Sequence, residues 1–316
     1  MRIVLMGDLH YSARLTTRRP QVLSARDRAF EALIRRFFAL PADWYVSIGD
    51  LVNDGRAEDF AVVYGMIRRC ALRPSSVVIG PASAASESLA GWPRSAPRFV
   101  HVLGNHDVLL LRKSTVERIT GMPRYWSVDT PEARLIFLDS TKERKWYDWG
   151  GTIDDDQLEW LGAELSEARE KPAFVFAHHP VYNTTVRSDR DRQSIHPSVP
   201  LDRVLAGKRG FNVFFSGHNH INSVVQKGNW LHVQTAAVLD ILAYRVIDIA
   251  EGKVTLRFAP VGSPDVVRDV LRFIRYMRGF APFRNAFGAL DEAYLSLACT
   301  DGPPDPADEP VAWARA

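Results

Sequence analysis

Five times along this chain a short apolar run ends abruptly in a polar cluster. Residues 3–6 lead into Gly7-Asp8-Leu9-His10, and residues 44–48 into Gly49-Asp50. Residues 99–103 lead into Gly104-Asn105-His106-Asp107, 174–176 into Ala177-His178-His179, and 211–215 into Ser216-Gly217-His218-Asn219-His220. Short runs rich in Val, Ile and Phe predict buried strands. Between them, residues 25–40 place Phe30, Leu33, Ile34, Phe37 and Phe38 on one helical face, and 58–70 and 155–168 follow the same period. Alternating strands and helices predict a layered α/β domain. Ligands of such sheets collect at the carboxyl ends of the strands, so the five clusters are expected to converge.

Their side chains are those of a metal centre. Asp8, His10, Asp50, Asn105, His178, His218 and His220 offer oxygen and imidazole nitrogen and no thiolate. That mix suits Mn, Fe, Zn or Co and argues against a structural zinc finger. Seven donors exceed what one tetrahedral ion needs. Two ions about 3.5–4 Å apart, sharing one carboxylate, would use them all; such a pair suits in-line displacement at phosphorus by a bridging hydroxide. Glycine precedes Asp8, Asp50, Asn105 and His218, where it lets the backbone turn sharply. Each residue alone has an ordinary explanation: Asp8 and Asp50 as caps, Gly104-Asn105 as a turn. The ordered series is what outweighs those explanations. His101 and His232 fall inside predicted strands and are expected to be packed residues. His179 is expected to pack or to brace its neighbour.

The series GDLH, GD, GNHD, HH and GHNH resembles the calcineurin-like metallophosphoesterase superfamily, and within it bacterial class III cyclic-nucleotide phosphodiesterases and glycerophosphodiesterases. The motifs run from Asp8 to His220, and the likeness of strand order continues to about Pro260. The resemblance implies a four-layer αββα sandwich, two mixed β-sheets face to face with helices outside. It implies that Asp8, His10 and His220 hold one ion, Asn105, His178 and His218 the other, and that Asp50 bridges them. The ions would be Mn, Fe or Zn. His106 would be the general acid at the leaving oxygen, with Asp107 beside it and Asn53 as a side chain that orients it. The implied activity is hydrolysis of small phosphodiesters. A phosphomonoesterase on the same centre is the alternative, and a scaffold protein is disfavoured because every ligand position is filled.

The remaining sequence frames that reading. The chain has 316 residues with a net charge of +3, too mild to require nucleic acid but suited to a small anionic substrate. Two cysteines, no leader-like start and no apolar run near the ~20 residues of a membrane helix predict a soluble cytoplasmic protein. Residues 1–260 are expected to form the catalytic domain, 261–299 a helical extension and 300–316 a Pro/Asp-rich tail, with a surface loop over 80–97. The hairpins of 221–258 or the last helices offer faces for a homo-oligomer. Arg187, Arg190 and His196 lie on a loop that could grip an anionic group, although Asp189 and Asp191 offset its charge. Trp146, Tyr147 and Trp149 are expected to pack between loop and sheet. Residues 265–280 read as one amphipathic helix with an apolar stripe of Val267, Val270, Leu271, Ile274 and Met277, and a solvated arginine face.

Overall fold

The computed structural model describes residues 1–71, 78–79, 97–289 and 294–299. The expected loop over 80–97 lies almost wholly outside these residues, and the tail over 300–316 lies entirely outside them. The apolar runs are strands, and they sort into two sheets. The larger sheet runs, edge to edge, β13 (Tyr294–Ala298), β12 (Lys253–Pro260), β11 (Ala243–Ala250), β1 (Arg2–Met6), β2 (Trp44–Ser47), β4 (Arg98–His101) and β3 (Val78–Ile79). The smaller runs β5 (Trp126–Asp129), β6 (Arg134–Phe137), β7 (Ala173–Phe176), β8 (Asn212–Ser216), β10 (Trp230–Gln234) and β9 (Ser223–Lys227).

Strand alternation decides which residues meet. Side chains of a strand point to opposite faces with period two. Ile3 and Leu5 of β1 join Trp44, Val46, Phe137, Phe174, Phe176 and Phe215 in the core between the sheets. Val4 and Met6 point the other way. They pack under α1 (Pro20–Ala39), α2 (Ala57–Ala71) and α7 (Pro264–Phe273), against Phe30, Leu33 and Phe60. On the opposite flank Ile136, Val175 and Phe214 pack against Leu158, Leu161 and Leu205 of α4 (Asp155–Ala168) and α5 (Leu201–Ala206). This is the expected αββα sandwich. Strands β1, β2 and β4 are mutually parallel, as are β6, β7, β8 and β10, so the motif-bearing strands of each sheet end on the same side. The two expected hairpins are β9–β10 and β11–β12.

The segment after Pro260 departs from a single helix over 265–280. Helix α7 ends at Phe273, a 3-10 turn spans Ile274–Tyr276, and the chain is extended at Met277. Leaving the helix lets Met277 and Phe280 enter the core beside Phe273. Within α7 itself Val270 and Phe273 are buried, whereas Val267 and Leu271 of the expected stripe face solvent; Leu271 is 67% exposed. Helix α7 lies on α1, where Arg28 pairs with Asp269 at 2.7 Å. The extension is not purely helical, since β13 adds to the edge of the larger sheet. Among the described residues no helix is long and apolar enough to cross a membrane.

Candidate metal centre

The loops after β1, β2, β4, β7 and β8 meet in one place, and backbone hydrogen bonds lace them together. The His10 amide donates to the Asp50 carbonyl at 2.9 Å, and the Gly217 amide to the His178 carbonyl at 2.9 Å. Side chains then tie the two sheets: His218 N donates to Asp8 Oδ2 at 3.0 Å, and His178 Nδ1 to the Ile48 carbonyl at 3.0 Å. Two glycines are dictated by this crowding. A Cβ on Gly104 would stand 2.1 Å from Asp50 N, and one on Gly217 2.3 Å from Asp8 Oδ1. His10, Asp50, His218 and His220 all adopt left-handed backbone, at φ of 51°, 48°, 69° and 55°. Side-chain-bearing residues rarely sit there, and such conformations concentrate at functional sites.

The hydrogen bonds made on the outside of the cluster determine what its inside presents. Asn53 Nδ2 donates to the Arg278 carbonyl at 2.8 Å, which leaves Asn53 Oδ1 to accept from His10 Nδ1 at 3.2 Å. Asp240, on the short helix α6 (Val238–Ile241), pairs with His220 Nδ1 at 3.2 Å. With both Nδ1 atoms protonated, the two Nε2 lone pairs face each other at 3.0 Å, with Asp8 Oδ2 3.2 Å from His220 Nε2. The second half-site repeats the pattern. His178 Nδ1 is tied to Ile48 and His218 Nε2 donates to the Arg192 carbonyl at 2.9 Å. Their inward nitrogens lie 3.3 Å apart, and Asn105 Oδ1 is 3.0 Å from each. Asp50 Oδ2 stands between the halves, 3.3 Å from His178 Nε2 and 3.8 Å from His10 Nε2. Asp8 Oδ1 is buried with no hydrogen-bond partner.

An enclosure lined by acceptors alone needs cations. The ionisation of the bare site says the same. Burial, with His106 nearby, lowers His10 to about 3, and burial lowers His218 to about 3. Burial also opposes charge on their partners, but Asp50 holds His178 up at about 9, and Asp240 with Asp8 hold His220 at about 10. Burial would raise the Asp50 carboxyl, yet His178 holds it well below the usual range. Each half thus keeps one proton between two imidazoles, where a metal ion would otherwise sit. Carboxylate, amide and imidazole donors suit metal ions: Asp8, His10 and His220 would hold one, and Asn105, His178 and His218 another, with Asp50 between them.

The other singled-out residues divide. A ring nitrogen of His106 lies within 4.8 Å of the His10 and Asp50 donor atoms. Its Nδ1 is held by the Asn53 carbonyl at 2.6 Å, so the backbone of Asn53 braces His106 while its side chain braces His10. Asp107 is fully buried, and its oxygens accept from Val52 N at 3.1 Å and Gly104 N at 2.8 Å, with His101 Nε2 at 3.2 Å. It clamps two motif loops, and its carboxylate bonds are made to Val52 N, Gly104 N and His101 rather than to the His106 ring. His179 has Nδ1 on Ser140 and Nε2 on the Trp149 carbonyl, so it braces the second half from behind. Arg190 and His196 line a cavity of about 430 Å³ with Lys142 and Tyr147, whereas Arg187 lies over the Phe283 ring. Trp146, Tyr147 and Trp149 do not plug a gap: they are 77%, 53% and 41% exposed, on a loop tied by Lys142–Asp148 and Gly150–Asp148 hydrogen bonds, with the Arg192 guanidinium over the Trp149 ring.

Two features escaped the sequence reading. Asp240 is a lone charge within an apolar stretch, and such a residue, if buried, must have a partner. Phe280 packs edge-on against His10 and lies over His220, at ring distances of 5.1 and 5.3 Å; nothing in its sequence setting marks it.

A curated relative, the glycerophosphodiester phosphodiesterase GpdQ of Enterobacter lignolyticus, is 28% identical over 144 residues, which span 44% of this chain and 42% of the relative. A dimetal phosphatase from Danio rerio superposes with a TM-score of 0.59 at 14% identity, covering 83% of this chain and 97% of that one. GAP50, described as the anchor in the inner membrane complex of Plasmodium, gives a TM-score of 0.48 at 13% identity over 91% of this chain and 99% of its own. The family model for calcineurin-like phosphoesterases matches residues 1–222, the stretch that carries all five motif loops, and the chain belongs to that family.

Proposed function

We propose that the protein hydrolyses small phosphodiesters at a dinuclear centre of Mn, Fe or Zn, held by Asp8, His10, Asp50, Asn105, His178, His218 and His220. When bound, the ions supply charge neutralisation at phosphorus and an activated water. The protein's part is to hold them in register. Asp50 is suited to bridging because Oδ1 is occupied by the His106 amide at 2.7 Å, which aims Oδ2 between the half-sites. His106 acts on the leaving oxygen: its Nδ1–H is fixed by the Asn53 carbonyl, and Nε2 delivers the proton.

The observation that carries the reading is the inward-facing acceptor cage with His106 at its rim. The partial likeness to a glycerophosphodiesterase supports diesters over monoesters. The test is a paired assay of protein loaded separately with each metal, on bis(4-nitrophenyl) phosphate and on 4-nitrophenyl phosphate. A higher kcat/KM on the diester, abolished by Asp50→Ala and lowered about 10²–10⁴-fold by His106→Ala, is expected. A monoester preference would replace the diester reading, and an unaltered rate in Asp50→Ala would remove both.

A further inference from the structure

A second cavity, of about 540 Å³, opens on the His106 side of the centre. Its position follows from its lining. Asp54 adjoins Asn53, which braces His106; Leu109 donates its amide to the His106 carbonyl; and the Arg278 carbonyl holds the Asn53 side chain. The volume is that of a small-ligand site. Its charge is one-sided: Arg14, Arg18, Arg56 and Arg278 face it, against Asp54 alone. Arg56 Nε is buried without a hydrogen-bond partner, and its nearest carboxylate, Asp54, is 4.0 Å away. Arg14, Arg18 and Arg278 make no ion pair among the described residues.

Arg14, Arg18 and Arg278 are exposed, so solvent screens part of their mutual repulsion, and an anion between the four guanidinium groups would remove the rest. The loop that carries two of them is nevertheless fixed. Arg26 donates to the carbonyls of Ser12 and Ala13, the Ala13 amide donates to Asp59 at 3.0 Å, and Thr16 N donates to the Tyr276 carbonyl at 2.8 Å. Arginine prefers phosphate because its planar fork matches two oxygens at once. Leu109 and Arg278 of its lining bond to His106 and to Asn53, which braces His106, so the cavity is on the side where His106 would release the departing half of the substrate.

We propose that this pocket binds a second phosphate carried by the leaving group, which makes the substrate a diester of a phosphate-bearing alcohol. The proposal rests on the diester reading above and adds a specificity site to it. Arg14 and Arg18 bind from the loop after β1, and Arg56 and Arg278 from the wall beside His106.

Metal-loaded protein is assayed on glycerophosphoglycerol and on the same diester phosphorylated at a terminal hydroxyl. The expected ratio of kcat/KM, phosphorylated over plain, is about tenfold or more, since each charged hydrogen bond is worth roughly that factor. The ratio should shrink with added salt and fall towards one in Arg14→Gln/Arg18→Gln; Arg278→Gln, which keeps its backbone contact, gives a second variant should the double one fold poorly. In parallel, glycerol 1-phosphate is titrated calorimetrically into metal-free protein, where the same variants should weaken binding about tenfold. A ratio near one while bis(4-nitrophenyl) phosphate is hydrolysed overturns the pocket, as does a ratio or a binding constant indifferent to the arginines. No diester turnover, with arginine-dependent glycerol 1-phosphate binding intact, overturns the diester reading and leaves a phosphate pocket.

Discussion

Replacing Asp240 with asparagine separates the metal centre from the fold that carries it. Asp240 is fully buried at its side chain, and Oδ2 faces only His220 Nδ1, at 3.2 Å. Its Oδ1 accepts from the Phe283 amide at 3.0 Å, a bond the asparagine oxygen keeps. The new NH₂ would then oppose the Nδ1–H of His220. The ring relieves that clash by moving its proton to Nε2, the atom that faces His10 and Asp8. A protonated Nε2 cannot be a ligand. Loss of a carboxylate behind a metal-bound histidine costs about 10–100-fold in affinity, or roughly 1.4–2.7 kcal/mol. Competition titrations against a chromophoric chelator would measure this for Mn and Zn, and the circular-dichroism spectrum of metal-free protein would confirm that the variant is folded. The more weakly held ion should be the one at Asp8, His10 and His220, so the variant should retain one tight ion per chain. Two wild-type affinities in a folded Asp240→Asn protein would refute the tautomer argument.

Other outcomes follow from the same geometry. Gly104→Ala should unfold at lower urea than wild type, by about 3 kcal/mol or more, because the new methyl would lie 2.1 Å from backbone; the ion count, by elemental analysis, should fall with it. Saturating metal should raise the melting temperature, since about 4 kcal/mol of stabilisation is available at 1,000 times Kd, and a chelator should reverse the shift; equal melting with and without metal would contradict the acceptor cage.

The convergence of the candidate donors was legible because each depends on local signals: a strand, a glycine, then a donor. The series survives in sequence even though Asp8 and His220 are 212 positions apart, since strand order brings them together without further instruction. What could not be read was decided across the chain. Asp240 matters only because α6 stacks behind His220, and no spacing relates the two. Asp107 sits beside His106 in sequence yet points to Val52 and Gly104, because the turn after β4 sends consecutive side chains to different sides. Periodicity carried the helix from 265 to 280, whereas the burial of Met277 and Phe280 ended it early. Trp146, Tyr147 and Trp149 read as packing between loop and sheet because they are aromatic, and composition cannot tell a plug from an exposed rim.

The stretch beyond Pro260 carries none of the seven donors, yet it presses the Phe280 ring onto His10 and His220, lends the Arg278 carbonyl to Asn53 and the Phe283 amide to Asp240. A protease nick there would leave every ligand on the surviving fragment and still let bulk solvent flood in over two imidazoles whose proton placement had been set from outside. Residues 278–283 are therefore a roof, and evolution could retune the reactivity beneath it without touching any of the seven candidate donors.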